Sequence, residues 1–214
     1  MKKIILPLML TLFAFSSFAA MAGMSPELLE LSESWAKIKY QMPEDQRVKA
    51  LEALNEKAAA MVEANPGVAE PLVWQAIILS TTAGEKGGLG ALSLVKQAKK
   101  LLDRAEALDP EVLNGSVYTS LGSLYYQVPG WPIGFGNDDK AESYLKKALA
   151  VNPDGMDPNY FYGDFMLQEK EYGKAAAAFE RALAASPREN RPIADAGRRA
   201  EIEAALAKVK LAMH

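Results

Sequence analysis

The sequence predicts an all-α protein: about four helix pairs packed side by side, closed by a polar terminal helix. Three observations lead there. First, a small–large–small triplet recurs at fixed spacing ahead of a proline, as Ala98, Leu102, Ala105 and Pro110, then Ala141, Leu145, Ala148 and Pro153, then Ala175, Phe179, Ala182 and Pro187. A fainter copy is Leu54, Ala58, Met61 and Pro66. Residues four and then three apart share one helix face, and a proline cannot donate the N–H that would carry the helix onward. Second, the stretch from Asn159 to Pro187 reads as two short amphipathic helices with a tight turn at Glu171-Tyr172-Gly173. In it Gly163, Ala175 and Ala182 leave room for a close crossing, while Tyr162, Met166 and Phe179 fill the space between the helices. Third, no segment shows the sustained two-residue alternation of a half-buried strand, so essentially no sheet is expected.

The beginning of the chain has the layout of a secretory leader. Lys2 and Lys3 supply the positive end, Ile4 to Phe18 the apolar run, and Ala20-Met21-Ala22 a small-x-small cleavage site before Gly23. The run is short for a spanning helix, which needs ~20 apolar residues. Cleavage is therefore expected to leave a mature chain with no stable membrane insertion, in the periplasm or secreted. No Cys follows the run, so no lipid anchor is expected.

Ser25-Pro26-Glu27 then opens the first helix with a cap, a proline at the first turn and a carboxylate near the positive helix end; it runs to about Tyr40. Pro43-Glu44-Asp45 is the turn into a second helix, Arg47 to Ala64, closed by Asn65-Pro66-Gly67. Pro71 to Thr82 is the third, with Trp74, Ile77, Ile78 and Thr81 inward, and Ala91 to Leu108 the fourth, after a glycine-rich connection over Gly84 to Gly90. Val112 to Tyr126, Asp139 to Val151, Pro158 to Glu169 and Gly173 to Ala185 are the fifth to eighth. Ile193 to Ala212, rich in Ala, Glu, Lys and Arg, is the terminal capping helix. The expected division is a leader over 1–22 and one helical repeat domain over 23–214. Its diverged first unit spans 28–66, further units end at 110, 153 and 187, and the cap covers 193–212.

The closing prolines are 34 residues apart from Pro153 to Pro187, 44 from Pro66 to Pro110 and 43 from Pro110 to Pro153. Met166 to Ala175 is shorter than Tyr125 to Ala141 by seven residues, which places the surplus between the two helices of a unit. Two insertions are thus expected on one edge of the array, the glycine-rich stretch and Gln127 to Asp138, QVPGWPIGFGND. Insertions on one face of a repeat array are often binding elements. Val128, Trp131, Ile133 and Phe135 are unusually apolar for a loop, and Pro129 and Pro132 stiffen it. Two readings stay open: these side chains plug the core between units, or they form a lip for a partner, with Val128 and Ile133 packing and Trp131 and Phe135 recognising.

Little in the composition supports catalysis. The single His is His214, the last residue, and there is no Cys, so Ser-His and Cys-His nucleophile arrangements and thiolate or His-bearing metal sites cannot be assembled. A carboxylate-only enzyme would draw on the cluster Asp138, Asp139, Asp154 and Asp157, but Asp138 or Asp139 reads more simply as the N-cap of the sixth helix and Asp154-Gly155 as a turn, and the ligand spacing of a calcium loop is missing. Gly134-Phe135-Gly136 and Gly87-Gly88-Leu89-Gly90 follow no strand and lack the Gly-Lys-Ser/Thr ending of a phosphate loop; they read as loop flexibility. The expectation is no cofactor, no metal and no enzyme. Loss of Lys2 and Lys3 takes the formal charge from −3 to −5, which disfavours nucleic acid or anionic lipid as principal partner.

Tyr162-Gly163, Met166, Ala175, Phe179, Ala182 and Pro187, with Leu121-Gly122 and Tyr125 in the preceding unit, resemble the tetratricopeptide-repeat superfamily, strongly in the last two units and weakly in the first. The resemblance implies a short right-handed α-solenoid of about four TPR-like helix pairs, acting as an adaptor that binds a protein or peptide in the concave groove of the first helices. Carried over, that groove would be lined by Gln75 and Leu79, by Thr119, Ser123 and Tyr126, and by Tyr160, Asp164 and Gln168. More loosely, an exported array carrying the PGWPIGFGND loop resembles the periplasmic T-component of tripartite (TRAP) transporters, which implies a solute-binding protein as partner and a homo-oligomer. The alternative is a small-ligand carrier with a pocket beneath the insertions, lined by Trp74, Tyr125, Trp131 and Phe135; an enzyme stands third.

Overall fold

The computed structural model describes residues 24–213; the leader, its cleavage site and His214 lie outside the described residues. Within them the chain forms α1 (Pro26–Gln41), α2 (Glu44–Ala64), α3 (Ala69–Lys86), α4 (Gly88–Leu108), α5 (Val112–Gln127), α6 (Asp138–Val151), α7 (Met156–Gln168), α8 (Tyr172–Ala184) and α9 (Pro192–Ala212). The described residues contain no strand, only an isolated bridge between Gly130 and Gly136. No helix among them is long and apolar enough to cross a membrane.

The recurring triplets are the spine of the packing. Ala98, Leu102 and Ala105, Ala141, Leu145 and Ala148, and Ala175, Phe179 and Ala182 are all fully buried, as is Ala58 of the fainter copy. Small residues flanking a large one let the partner helix approach closely while the large side chain fills the crossing. Gly163 shows how close: a Cβ there would lie 2.8 Å from the Phe179 ring. Asn65, Asp109 and Asn152 end α2, α4 and α6 in non-helical backbone ahead of Pro66, Pro110 and Pro153, as a residue before proline prefers.

Helices pack on their neighbours in sequence, and the odd ones also form a cycle: α1 on α3, α3 on α5, α5 on α7, α7 on α9, and α9 back on α1. The even helices show no comparable backbone packing on one another; α4 and α6 meet through Tyr144 Oη, which donates to Glu106 Oε2 at 3.2 Å. The last helix therefore does more than cover α8. Gly197, in the middle of α9, leaves no room for a Cβ against the Tyr40 ring of α1, and Tyr40 Oη donates to Glu201 Oε2 at 3.3 Å. Arg199 ties α9 to the end of α8, donating to the carbonyls of Leu183 at 2.5 Å and Ala185 at 2.7 Å, which a helix C-terminus otherwise leaves unpaired.

Several local expectations are corrected. The glycine-rich stretch is not a loop: α3 runs on to Lys86 and α4 starts at Gly88, so only Gly87, at φ +62°, interrupts a long helical hairpin. Lys86 to Glu52 at 3.1 Å and Arg47 to Glu85 at 3.5 Å hold that extension on α2. The N-cap of α6 is Asn137, whose side chain accepts from the Lys140 N–H at 2.8 Å; Asp138 and Asp139 fall in the first turn, where they favour the positive helix end. The α7–α8 turn is made by Glu169 to Glu171, with Lys170 left-handed at φ +62°, and Tyr172 and Gly173 are already helical. Gly134 and Gly136 are not there for flexibility, because a Cβ on either would run into the Pro129 or Val128 backbone.

Phe179→Ala is expected to cost ~3–5 kcal/mol by emptying a site with no solvent access; a denaturant midpoint equal to wild type would contradict its burial. Gly197→Ala is expected to part α1 from α9 and speed amide exchange along α1, whereas Gly173→Ala, where an added methyl meets nothing within 4 Å, should leave exchange unchanged.

Candidate functional site: a cavity inside the helix cycle

The odd helices line a cavity of about 1230 Å³ that opens to solvent. Trp35 and Lys39 line it from α1, Trp74, Ile77, Ser80 and Thr81 from α3, Ser116, Thr119, Ser120 and Ser123 from α5, Asp157, Tyr160 and Phe161 from α7, and Arg198 and Glu201 from α9. Arg188 and Arg191 reach it from the segment ahead of α9. Several wall hydroxyls donate to carbonyls of their own helix: Ser80 to Ala76 and Thr81 to Ile77 at 2.8 Å, Thr119 to Gly115 at 3.2 Å, and Ser123 to Ser120 at 3.0 Å. Their protons are committed, so they offer an occupant acceptors rather than donors. One wall begins in an uncommon backbone: Leu113, Asn114 and Gly115 are consecutively left-handed, at φ 53°, 55° and 79°. Such conformations cost energy in a non-glycine residue and cluster at binding sites.

At the α7–α9 side the Asp157 carboxylate is shared by two arginines, accepting from Arg188 Nη1 at 2.7 Å and Arg198 Nε at 2.9 Å. Arg188 also donates through its backbone N–H and Nε to Asp195, at 2.7 and 2.6 Å. Arg198 Nη1 donates to Glu201 Oε2 at 2.6 Å, and Glu201 also meets Lys39 at 3.3 Å. The Arg198 guanidinium stacks on Tyr160 at 4.2 Å and on Phe161 at 4.9 Å. Burial works against charge on Asp157, but Arg198, Arg188 and Arg191 outweigh it and hold the carboxyl well below the usual carboxylate range. Burial pushes the Tyr160 phenol up to about 12.

Arg191 differs from its neighbours. It lies over the Trp74 ring at 5.1 Å and forms no ion pair within the described residues. Its Nε is buried without a hydrogen-bond partner, and so is Nε1 of Trp74 beneath it. Burial first, then the like charge of Arg188, lower its affinity for its proton. Trp35, edge-on to Trp74 at 6.0 Å, is by contrast satisfied through Thr81 Oγ1 at 2.9 Å.

Of the residues assigned to a groove, the structure brings Thr119, Ser123 and Tyr160 to the cavity, along with Trp74, Ile77 and Thr81 of the expected inward face of α3. Leu79 is instead buried in the core, 3% exposed, and Gln75 turns toward α2, donating to Asn55 Oδ1 at 3.4 Å. Both miss because the helix face was placed one step off: the cavity takes Glu70, Trp74, Ile77 and Thr81. Tyr126 is buried and donates to Asp164 Oδ2 at 2.7 Å, so this pair joins α5 to α7 within the packing, and Gln168 is exposed at the end of α7. The expected ligand pocket is not assembled: Trp74 faces the cavity, while Tyr125 and Phe135 pack edge-on at 5.8 Å elsewhere and Tyr125 stacks on Tyr144 at 5.7 Å.

The inserted loop divides its side chains differently from either reading. Val128 is buried and Phe135 half-buried on Tyr125, but Trp131 is 90% exposed and Ile133 60% exposed, so Ile133 does not pack and Phe135 is not a free recognition group. Sequence reasoning missed Arg188, Arg191 and Arg198, and grouped Asp157 with Asp138, Asp139 and Asp154 instead of with these arginines. The signal was there: Asp195 and Arg198 fall on the same face of the last helix as Ile202, Ala205 and Val209, which is buried, and Gly197 marks a close approach. No protein-family model matches the chain, and comparison with curated proteins gives no match either.

Because the folded Asp157 carboxyl is depressed, its contribution to stability is fully present above the unfolded value of about 4 and is lost as pH falls toward the folded one. Asp157→Asn removes this dependence while leaving two buried arginines short of a counter-charge. The variant is expected to be less stable at pH 7, with a flatter loss of stability below about pH 4. Parallel acid limbs in the urea midpoints of the two proteins would contradict the assignment.

Proposed function

We propose that this chain is an exported, non-catalytic adaptor, a TPR-like solenoid closed on itself, that receives a protein segment in the cavity between its odd helices. The observation that carries the reading is the cavity itself, of about 1230 Å³ and walled by all five odd helices, with aromatic rings, committed hydroxyls and guanidinium groups. Such mixed linings suit orientation of a bound group rather than bond making. The chain has no Cys and no His before residue 214, so the usual nucleophile and general-base pairs cannot be built. The leader-like residues 1–22 favour the periplasm or the exterior, and a solute-binding protein is the partner class that the PGWPIGFGND loop suggests. A homo-oligomer is compatible with the exposed Trp131 and Ile133.

A small-ligand carrier is the second reading, and the packing of α9 on α1 favours it: a groove whose ends meet suits a compact occupant or a chain end better than a long peptide running through. The pocket then lies between the odd helices and not beneath the loop.

Two variants separate the surfaces. Ser120→Trp fills the cavity from α5 and is expected to abolish retention of the occupant, whether protein or small molecule, in capture from periplasmic extract and in mass spectrometry of the purified protein. Trp131→Ala is expected to leave the melting temperature unchanged because the side chain is exposed, and to weaken protein capture by ~2 kcal/mol where the loop adds an aromatic anchor. Retention unaffected by Ser120→Trp refutes the cavity as the binding surface.

A further inference from the structure

We infer that Arg191 and Trp74 form a receptor for a carboxylate carried by whatever occupies the cavity. The inference rests on the cavity being the binding surface and adds the chemistry of its deepest contact. Arg191 is half-buried, with its Nε shut off from water and unpartnered, and a covered donor on a cation that forms no ion pair is costly unless something else completes it. The three nearby carboxylates are already used: Asp157 by Arg188 and Arg198, Asp195 by Arg188, Glu201 by Arg198 and Lys39. Glu70 and Glu189 also line the cavity, and neither comes within ion-pairing distance of Arg191. Trp74 is 2% exposed with its N–H unpartnered, a second donor stranded at the same place.

Two donors and no acceptor define the missing group: an oxyanion. A planar carboxylate matches the fork of a guanidinium, taking two parallel N–H bonds, and one of its oxygens can accept the indole N–H as well. Nε of Arg191 and Nε1 of Trp74 are both covered, so the carboxylate is admitted by a swing of the Arg191 side chain off the indole. That swing gives up the stack on Trp74, which a bidentate ion pair with the carboxylate replaces. The rest of the occupant then lies against Ile77 and the acceptor hydroxyls of Thr81 and Thr119, which suits a carboxylate with N–H or O–H groups a few bonds away. A hydroxy- or amino-substituted organic acid and the C-terminal carboxylate of a polypeptide both have that chemistry.

The test uses the mature chain in a Trp131→Phe background, labelled with ¹⁵N so that the indole and Arg Nε resonances are read directly. Hexanoate, titrated to 100 mM, is expected to shift the Trp74 indole and Arg191 Nε signals, while hexanamide and equal chloride do not. Arg191→Gln is expected to reduce the hexanoate response at least tenfold and, by removing a half-buried charge that forms no ion pair, to raise the melting temperature measured without hexanoate. A purely structural stacking role predicts the reverse, a lower melting temperature and an unaltered response. Two arms identify the source. An organic acid released on denaturation of wild type and missing from Arg191→Gln indicates a free ligand; a response to a mixed hexapeptide library with free C-termini but not to its amidated form indicates a chain end. Silence toward hexanoate and both libraries overturns the inference, as does an equal response in Arg191→Gln. An occupant held equally by wild type and Arg191→Gln yet expelled by Ser120→Trp overturns the carboxylate receptor alone and leaves the cavity reading standing.

Discussion

The shared carboxylate of Asp157 is the contact on which the shape of the molecule depends. Stacked helix pairs have no reason of their own to close; each buries its face on the next, and the array could stop anywhere. Here α7 presents Asp157 to Arg188 and Arg198, Arg198 passes the charge on to Glu201, and Glu201 meets Lys39 and Tyr40 of α1. Charge leads from α7 through α9 to α1. Such a chain of buried ions is weak evidence of net stability, because desolvation offsets much of the attraction, but it fixes which helix face meets which.

The helices and most of their boundaries were legible in the sequence because local chemistry sets them. Pro66, Pro110 and Pro153 stop helices whatever surrounds them, and the triplet around Leu102, Leu145 and Phe179 is buried for the same packing reason three times. What depended on distant residues was not legible. Gly84 to Gly90 has a loop composition, yet α2 offers Glu52 and Arg47 at a spacing that docks a longer helical hairpin. The faces of α3 and α7 were misassigned for a related reason: in a closed cycle the inner face differs from that of an open groove. Leu79 and Asp164 therefore belong to contacts between neighbours, and Trp74 and Asp157 to the interior.

The cavity and the inserted loop are separate surfaces with separate physics. The loop is braced from inside, with Val128 buried, Phe135 on Tyr125 and the Asn137 N–H bonded to the Tyr125 carbonyl at 2.8 Å, and it holds Trp131 outward on this footing. An exposed indole on a braced loop has little ordering entropy left to lose. The cavity instead encloses its groups, and there the local dielectric makes each unpaired charge count for more.

That contrast explains why Arg191 is better understood through what it lacks than through what it touches. Arg188 and Arg198 lie a few residues away in sequence, share the same low-dielectric surroundings, and are each saturated by two carboxylates. A folding chain with Asp157, Asp195 and Glu201 available could have shared them among three arginines; instead the geometry assigns all three to two. The acids are fixed by other demands: Asp157 links α7 to α9, Glu201 links α9 to α1, and Asp195 holds the segment ahead of α9. Arg191, ahead of the first turn of α9 and resting only on Trp74, has no part in that closure and so is the cation the fold can leave open. The same constraint that closes the cycle thus leaves Arg191 without an ion pair, beside the equally unpartnered indole N–H of Trp74.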